Sequence, residues 1–255
     1  MWQDIKILNS TANALFGVVL LLLLMSGLWW VIQRPMFTLK VIRVEGIENS
    51  TLRHVNGLTI RDSALPKMQG NFFTTNLDSV RSAFESVSWV RKASVQREWP
   101  NKLIVTLEEH EALGTWGEDG RLLSAKGDVF TANIAEAEED TDLLEFVGPE
   151  GSEKEVLHRY IDFKAWFAKI NLTPESVHYS SRYAWSVKLN NGMKVELGRM
   201  QDETTLYKRV GQLLVVYPKL LASLQDSIES VDMRYQNGLA LKSSHGEIEL
   251  KSKQK

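Results

Sequence analysis

The chain has no cysteine among its 255 residues, which excludes disulfide bonds, thiolate metal sites and cysteine nucleophiles. It also has no excess of either charge, since 30 lysines and arginines stand against 32 aspartates and glutamates. No basic stripe interleaved with aromatic residues occurs, so no nucleic-acid partner is expected. The 5 histidines are scattered without HExxH or HxH spacing, and we therefore expect no metal site and no cofactor.

One acidic cluster, Glu108-Glu109-His110-Glu111, is dense enough to be considered as a chemical site. Adjacent residues on a strand point to opposite faces, so these carboxylates cannot flank one bond as a glycosidase pair does. As a metal site the cluster offers a single imidazole. We interpret it as a solvated strand end and linker, and we expect no catalytic residue here.

A long apolar run, Ala14 to Ile32, carries no charged residue, and Arg34 is the first charged residue after it. About 19 uncharged residues span a hydrocarbon core of about 30 Å at a rise of 1.5 Å per residue. A cleaved signal peptide is the alternative, but its apolar core is shorter and ends in small residues, whereas this run ends in Trp29-Trp30. The run therefore predicts an uncleaved transmembrane helix.

The charges around this helix do not predict its orientation. Lys6 is the one cationic side chain before the run, whereas Arg34, Lys40 and Arg43 follow it. A simple positive-inside count would place the amino terminus outside. Long translocated domains largely escape that count, so the orientation has to come from another argument.

The next part of the chain predicts a small strand-helix-helix-strand-strand module. Phe37–Glu45 alternates as a first strand, and Ser88–Leu107 is a β-hairpin whose turn is Trp99-Pro100-Asn101-Lys102. Trp99 is expected to pack beside the Pro100 turn as a core residue. Between the strands we predict two short helices, Thr51–Leu58 with Asn49 or Ser50 as its cap, and a second from Asn76 or Asp78 to Phe84.

The remainder predicts a mixed β-domain with two helices. Trp116–Phe130 contains short strands, and the acidic run Glu136–Asp142 indicates an exposed, mobile loop. Ser152 and Glu155 form a capping box before one amphipathic helix. Asp202 caps another, whose apolar positions include Leu206, Val210 and Leu213.

Two hairpins complete this domain. Trp185–Leu197 has Asn191-Gly192 at its centre, which predicts a type I′ turn. Val231–Lys242 turns at Gln236-Asn237-Gly238, and the chain then continues through Ser244-His245-Gly246 to a basic tail.

These residues resemble a known family in two regions that occur in the right order. The run Trp89-Val90, Ala93, Val95, Arg97, Trp99-Pro100, Leu103, Val105 and Glu108 resembles the end of the POTRA module of the FtsQ/DivIB family of bacterial cell-division proteins. Leu197-Gly198-Arg199, a helix ending at Tyr217-Pro218, and Val231 to Gly238 resemble that family's C-terminal β-domain.

The resemblance implies an α+β fold and the following organisation. The parts are a short cytoplasmic tail at 1–13, a transmembrane helix at 14–33, a POTRA module at 36–109, a C-terminal mixed β-domain with two packing helices at 110–250, and a basic tail at 251–255. It further implies a cell inner membrane protein whose amino terminus is cytoplasmic and whose bulk is periplasmic, at the division septum.

The implied function is that of a non-enzymatic scaffold without a small-molecule substrate. Its implied partners are FtsB and FtsL, with direct contact mainly to FtsB, and other septal membrane proteins. An extended partner segment would add to a sheet edge, because backbone hydrogen bonds supply affinity there and alternate side chains supply specificity. The expected binding residues are Arg199, Arg234, Tyr235, Asn237, Gly238, Leu239, Ala240, Leu241 and Lys242, with the strand from Leu239 to Lys242 as the terminal edge.

Two alternative functions remain open from the sequence. A POTRA-bearing transport or outer-membrane assembly adaptor would normally carry several POTRA repeats or a barrel. A membrane-anchored envelope hydrolase would need a nucleophile with a base, or a metal triad. The sequence supplies neither set of features.

Overall fold

The computed structural model describes residues 2–47, 50–68, 70–223, 228–235, 238–243 and 246–251. Its backbone contacts divide the chain into two compact units, Met1–Glu109 and His110–Lys255. The mixed α+β class predicted from the sequence is confirmed, with an apolar N-terminal helix in the first unit and a β-rich second unit.

The first element is a long helix, α1, at Trp2–Ile32. Its apolar part, Leu8–Ile32, is long enough to cross a bilayer and is exposed along its length. The helix starts before the apolar run, because the polar residues from Trp2 onward continue the same helical backbone. A helix that is apolar on all faces without burying any of them is typical of a membrane span.

The rest of the first unit has the predicted strand-helix-helix-strand-strand order. Its elements are β1 (Val41–Gly46), α2 (Gly57–Ser63), α3 (Leu77–Glu85), β2 (Val90–Glu98) and β3 (Lys102–Glu109), with single 3₁₀ turns at Pro35–Phe37 and Leu65–Lys67. The sheet order is β1-β3-β2, so β3 lies between a parallel and an antiparallel neighbour. Leu103, Val105 and Leu107 of this central strand are fully buried, as their period-2 spacing predicts.

Two details of this unit were predicted incorrectly. The first helix is not at Thr51–Leu58 but at Gly57–Ser63, because the Asn56 side chain accepts hydrogen bonds from Leu58 N and Thr59 N and begins the helix there. The predicted cap Asn49 lies outside the described residues. Trp99 is not a core residue, since 72% of it is exposed at the turn between β2 and β3.

The second unit is built on one ten-stranded sheet in the order β13-β12-β11-β10-β9-β8-β7-β4-β5-β6. The strands are β4 (Ala112–Trp116), β5 (Arg121–Ser124), β6 (Val129–Phe130), β7 (Leu144–Val147), β8 (Pro174–Tyr179), β9 (Ala184–Leu189), β10 (Lys194–Arg199), β11 (Ile228–Asp232), β12 (Gly238–Ser243) and β13 (Gly246–Lys251). The sheet is mixed, with parallel pairs at β4–β7, β7–β8 and β10–β11.

The helices of this unit are α4 (Ile134–Asp140), α5 (Glu153–Phe167) and α6 (Thr205–Ser223), and a 3₁₀ turn at Ala168–Ile170 follows α5. Helices α5 and α6 contact each other and pack on the sheet through β8 and β10. The shared core includes Phe163 and Phe167 of α5, Leu213 of α6, and Trp185 of β9. The two packing helices predicted for this domain are therefore present.

Three local predictions in this unit are wrong. The acidic run is not a loop throughout, because Asn133 accepts a hydrogen bond from Ala135 N and starts helix α4. Ser152 does precede α5, but its hydroxyl donates to Pro149 O and forms no capping box. The β9–β10 turn has a positive φ at Gly192 without one at Asn191, and Gly192 N donates to Leu189 O. This is a three-residue loop ending in a left-handed glycine, not a type I′ turn.

Candidate protein-binding end of the sheet

The predicted binding residues lie at one end of the ten-stranded sheet. Strand β12 pairs with β11 in antiparallel register, with Ala240 opposite Asp232 and Lys242 opposite Ser230. Leu239 and Leu241 face the core and are nearly fully buried, whereas Ala240 and Lys242 face the other side and keep accessible surface. Alternation along the strand therefore leaves Ala240 and Lys242, not the two leucines, available to a partner's side chains.

Strand β12 is not the terminal edge that the sequence suggested. Residues Gly246–Lys251 form β13, which pairs with β12 from Gly238↔Lys251 to Ser243↔Gly246. Within the part of the chain that the structure describes, β13 pairs with β12 alone and so forms the end of the sheet. In the sequence, the alternating apolar positions Ile248 and Leu250 favour strand formation.

Arg234 and Asp232 form a hydrogen-bonded ion pair at this end. The Arg234 backbone N donates to Asp232 Oδ1 at 2.9 Å, and its Nε donates to the same oxygen at 2.9 Å. Burial by itself raises the pKa of Asp232, but the hydrogen bonds and charge of Arg234, with the charge of Arg209, hold that pKa below its ordinary value. The pair fixes the direction in which the chain leaves β11 while most of the Arg234 side chain stays exposed.

Gly198 brings Arg199 and Arg234 to the same place. The β9–β10 register shifts between Glu196 and Gly198, and Gly198 has φ +71°, which favours glycine. A Cβ at Gly198 would come within 2.8 Å of the Arg234 Cγ atom. A side chain at this position would therefore force the Arg234 side chain to shift, and exposed Arg199 follows Gly198 close to Arg234.

Arg209 is a residue of this region that the sequence reasoning missed. Its Nη1 atom donates to the backbone oxygens of Leu197 and of Arg199, the latter at 2.9 Å. These bonds hold Arg209 against the end of β10, where the pairing with β9 shifts register. The signal was present in the sequence, because an arginine sits beside Val210 on the apolar face of α6, where a charge needs a specific acceptor.

The predicted residues that keep accessible surface form a strip, which we define as Arg199, Arg234, Tyr235, Ala240 and Lys242. Tyr235 is 53% exposed next to Arg234. Lys242 Nζ lies 3.2 Å from Glu229 Oε2 of β11. Lys242 is four residues along β12 from Gly238, which corresponds to about 14 Å at strand rise. Asn237 lies outside the described residues. The structure thus groups Arg199, Arg234 and Tyr235 near the start of β12 and places Lys242 towards its other end.

The acidic cluster at 108–111 has a structural role that the sequence reasoning did not foresee. Glu109 accepts backbone hydrogen bonds from Arg53, His54 and Val55 at 2.8, 3.1 and 2.7 Å. Glu108 pairs with Arg91 at 2.9 Å in a half-buried position. Among the described residues, no group of three or more His, Cys, Asp or Glu side chains is arranged to hold a metal ion. The expectation that this segment is merely solvated is therefore wrong.

Each of the two units matches a known family model. Residues 37–110 match the family model described as POTRA domain, FtsQ-type, and residues 114–234 match the one described as cell division protein FtsQ/DivIB, C-terminal. A protein of Burkholderia pseudomallei named cell division protein FtsQ is 48% identical over 244 residues, covering 96% of this chain and 95% of its own length.

Proteins with the same name are similar to this chain at greater distance. The one from Bordetella pertussis is 36% identical over 94% of this chain and 92% of its own length. The one from Nitrosospira multiformis is 34% identical over 94% of this chain and 98% of its own length. The chain belongs to the FtsQ/DivIB family of bacterial cell division proteins.

Proposed function

We propose that this chain is a non-enzymatic scaffold of the division machinery, anchored in the inner membrane by α1 with its amino terminus in the cytoplasm and its other elements in the periplasm. In this role it binds FtsB and FtsL through its periplasmic part, with direct contact mainly to FtsB, and so links early and late septal proteins. Membership of the FtsQ/DivIB family supports a role in cell division. The observation that carries the binding proposal is the open end of the sheet, where β13 is paired on one side only. Exposed Arg234 and Tyr235 follow β11, two strands away, and exposed Arg199 ends β10, one strand further in.

The proposed mode of binding is replacement of β13 by a partner strand. The partner then pairs with β12 and reaches both Tyr235, which precedes that strand, and Lys242, which lies near its end. Addition outside β13 would leave one strand, about 4.8 Å wide, between the partner and β12. Replacement costs the β12–β13 pairing, so the partner has to offer stronger side-chain contacts than the residues 246–251 provide.

A truncation separates these two modes by the sign of its effect. Removing residues 246–255 exposes β12, so replacement predicts tighter FtsB binding by the full-length protein in detergent or nanodiscs. Addition to β13 predicts that binding is lost. Binding that is unaffected by the truncation would contradict the proposal that this end of the sheet is the FtsB site.

A matched pair of tyrosines tests the contribution of side chains. Tyr235 and Tyr207 are both 53% exposed and both belong to the second unit. Tyr235→Ala is expected to weaken FtsB binding by about 1–4 kcal/mol if it is an aromatic anchor, whereas Tyr207→Ala on α6 should leave affinity unchanged. Equal effects of the two substitutions on affinity would argue against the strip as the FtsB-binding surface.

A further inference from the structure

The tryptophan at the β2–β3 turn does not pack in the core of its module. Trp99 is 72% exposed, Met36 is 62% exposed and Phe73 is 46% exposed. We call these three residues the tip surface. Large exposed apolar side chains grouped at one end of a small module indicate a surface that contacts something apolar.

Hydrogen bonds join this end of the module to the end of α1. The Asn71 side chain donates from Nδ2 to Ile32 O at 3.0 Å, in the last turn of α1. Phe72 N donates to Phe37 O at 2.9 Å, and the rings of Phe37 and Phe73 meet edge to face with centroids 4.8 Å apart. The loop that carries Phe73 is therefore bound to the segment where α1 ends.

A second set of bonds joins the same loop to the turn that carries Trp99. Arg97, on β2 two residues before Trp99, donates from Nε to Phe72 O at 2.8 Å and from Nη2 to Thr75 O at 2.7 Å. On the other side of the sheet, Lys40 N donates to Asn101 O at 3.1 Å. The hairpin turn thus lies between the loop of residues 72–75 and Lys40, at the end of the module that meets α1.

We propose that the tip surface lies in the headgroup region of the bilayer that α1 spans, with Trp99 as an interfacial anchor. This inference rests on the proposed membrane anchoring of α1. Tryptophan is enriched at the membrane–water interface because its ring is apolar and its indole N–H is polar. Two cations belong to the same end of the module: the Arg34 Cζ atom lies 3.3 Å from the ring centroid of Trp30 just after α1, and Lys40, whose backbone N donates to Asn101 O, is exposed just before β1. Lipid phosphates are the matching ligands of such cations.

The module also supplies a control position far from the membrane. Strand β3 runs from Lys102 at the turn to Glu109, a distance of about 23 Å at strand rise. Glu109 binds the backbone of residues 53–55, and Leu58 follows shortly after at the start of α2 with 71% exposure. Leu58 is therefore an exposed apolar residue at the opposite end of the same module.

The test uses the absence of cysteine, because each single-cysteine variant carries one label. We would introduce Asn101→Cys or Leu58→Cys into the full-length chain, attach an NBD fluorophore, and reconstitute it in vesicles of phosphatidylethanolamine and phosphatidylglycerol. The measured quantity is quenching by phospholipid with a nitroxide near the headgroup. The Asn101 label should be strongly quenched and the Leu58 label should not.

Trp99 is then substituted in the chain that carries the label at Asn101→Cys. Trp99→Ala should reduce quenching towards the Leu58 level, and Trp99→Phe should restore most of it. Quenching at Asn101 that is unchanged by Trp99→Ala, in a chain that resists carbonate extraction, would overturn the interfacial role alone. A chain extracted by carbonate would overturn the membrane anchoring and this proposal together. FtsB affinity should be the same for Trp99→Ala and wild type, so loss of that binding is a separate result that concerns the proposed function.

Discussion

Glu109→Ala is expected to open the segment before α2 without unfolding the module. The carboxylate accepts three consecutive backbone N–H groups, from Arg53, His54 and Val55. The bond to Arg53 is exposed, so water replaces it at little cost. The other two are partly buried, and a hydrogen bond to a charged group is worth roughly 1.5–3 kcal/mol. Taking the lower value for each gives about 3 kcal/mol of local stability.

Hydrogen exchange of the full-length chain in detergent measures this quantity directly. Since about 1.4 kcal/mol corresponds to a factor of ten, the amides of residues 53–55 should exchange about 100-fold faster in Glu109→Ala. Glu111→Ala is the matched control, because Glu111 is exposed two residues further on, and it should leave these amides unchanged. Exchange at 53–55 that is the same in both variants would refute the carboxylate's role as the acceptor that holds this segment.

The other predictions concern three separate features of the chain. Leu103→Ala, at a fully buried position of β3, should destabilise the first unit by about 2–5 kcal/mol in thermal or urea unfolding. Trp99→Ala should cost less than about 1 kcal/mol, because most of the side chain is not buried within the protein; equal losses would show that Trp99 packs in the core. The folded-state pKa of Asp232 is lowered, so its contribution to stability is present above the unfolded pKa and is lost as pH falls through the folded pKa. Arg234→Ala should therefore raise the Asp232 pKa, measured by NMR of the carboxyl carbon, and no change would contradict the pairing. Mass spectrometry of the membrane-extracted protein should recover the N-terminal peptide around Trp2–Lys6, and a mature chain starting near Arg34 would mean that the helix is a cleaved signal.

The sequence was informative where burial enforces a periodic pattern. The β2–β3 hairpin follows from Leu103, Val105 and Leu107, because a shift of one residue would turn all three out of the core. The order of elements and the α+β class follow from such patterns together. The proposed partners come from the family resemblance, because no pattern within one chain names a partner.

The errors occurred where a local preference competed with contacts that are distant in sequence. Several asparagines and serines precede the first helix, and only the three-dimensional fold selects Asn56 as its cap. Trp99 is expected from the sequence to pack beside the Pro100 turn, but its place at that turn leaves it exposed. Strand β13 has an alternating pattern, but the pattern is short and polar, so its pairing with β12 depends on a register that sequence alone does not supply.

The covering of β12 also changes the expected effect of a proline at Ala240. On a true edge strand, Ala240→Pro would barely disturb the fold. Ala240 instead has partners on both sides, Asp232 on β11 and Glu249 on β13. Proline there removes one ladder hydrogen bond whichever neighbour receives it, so this variant cannot separate folding from binding. Side-chain crosslinking avoids that ambiguity.

Site-specific photocrosslinking in dividing cells tests the central claim most directly. A photoreactive amino acid is placed at Tyr235 or at Lys242, whose side chains are exposed at the two ends of the strip, and at Tyr207 on α6 as the control. The account predicts an adduct with FtsB from both strip positions and none from Tyr207. Adducts with FtsB from Tyr207 but not from the strip, or no FtsB adduct at either strip position, would contradict it.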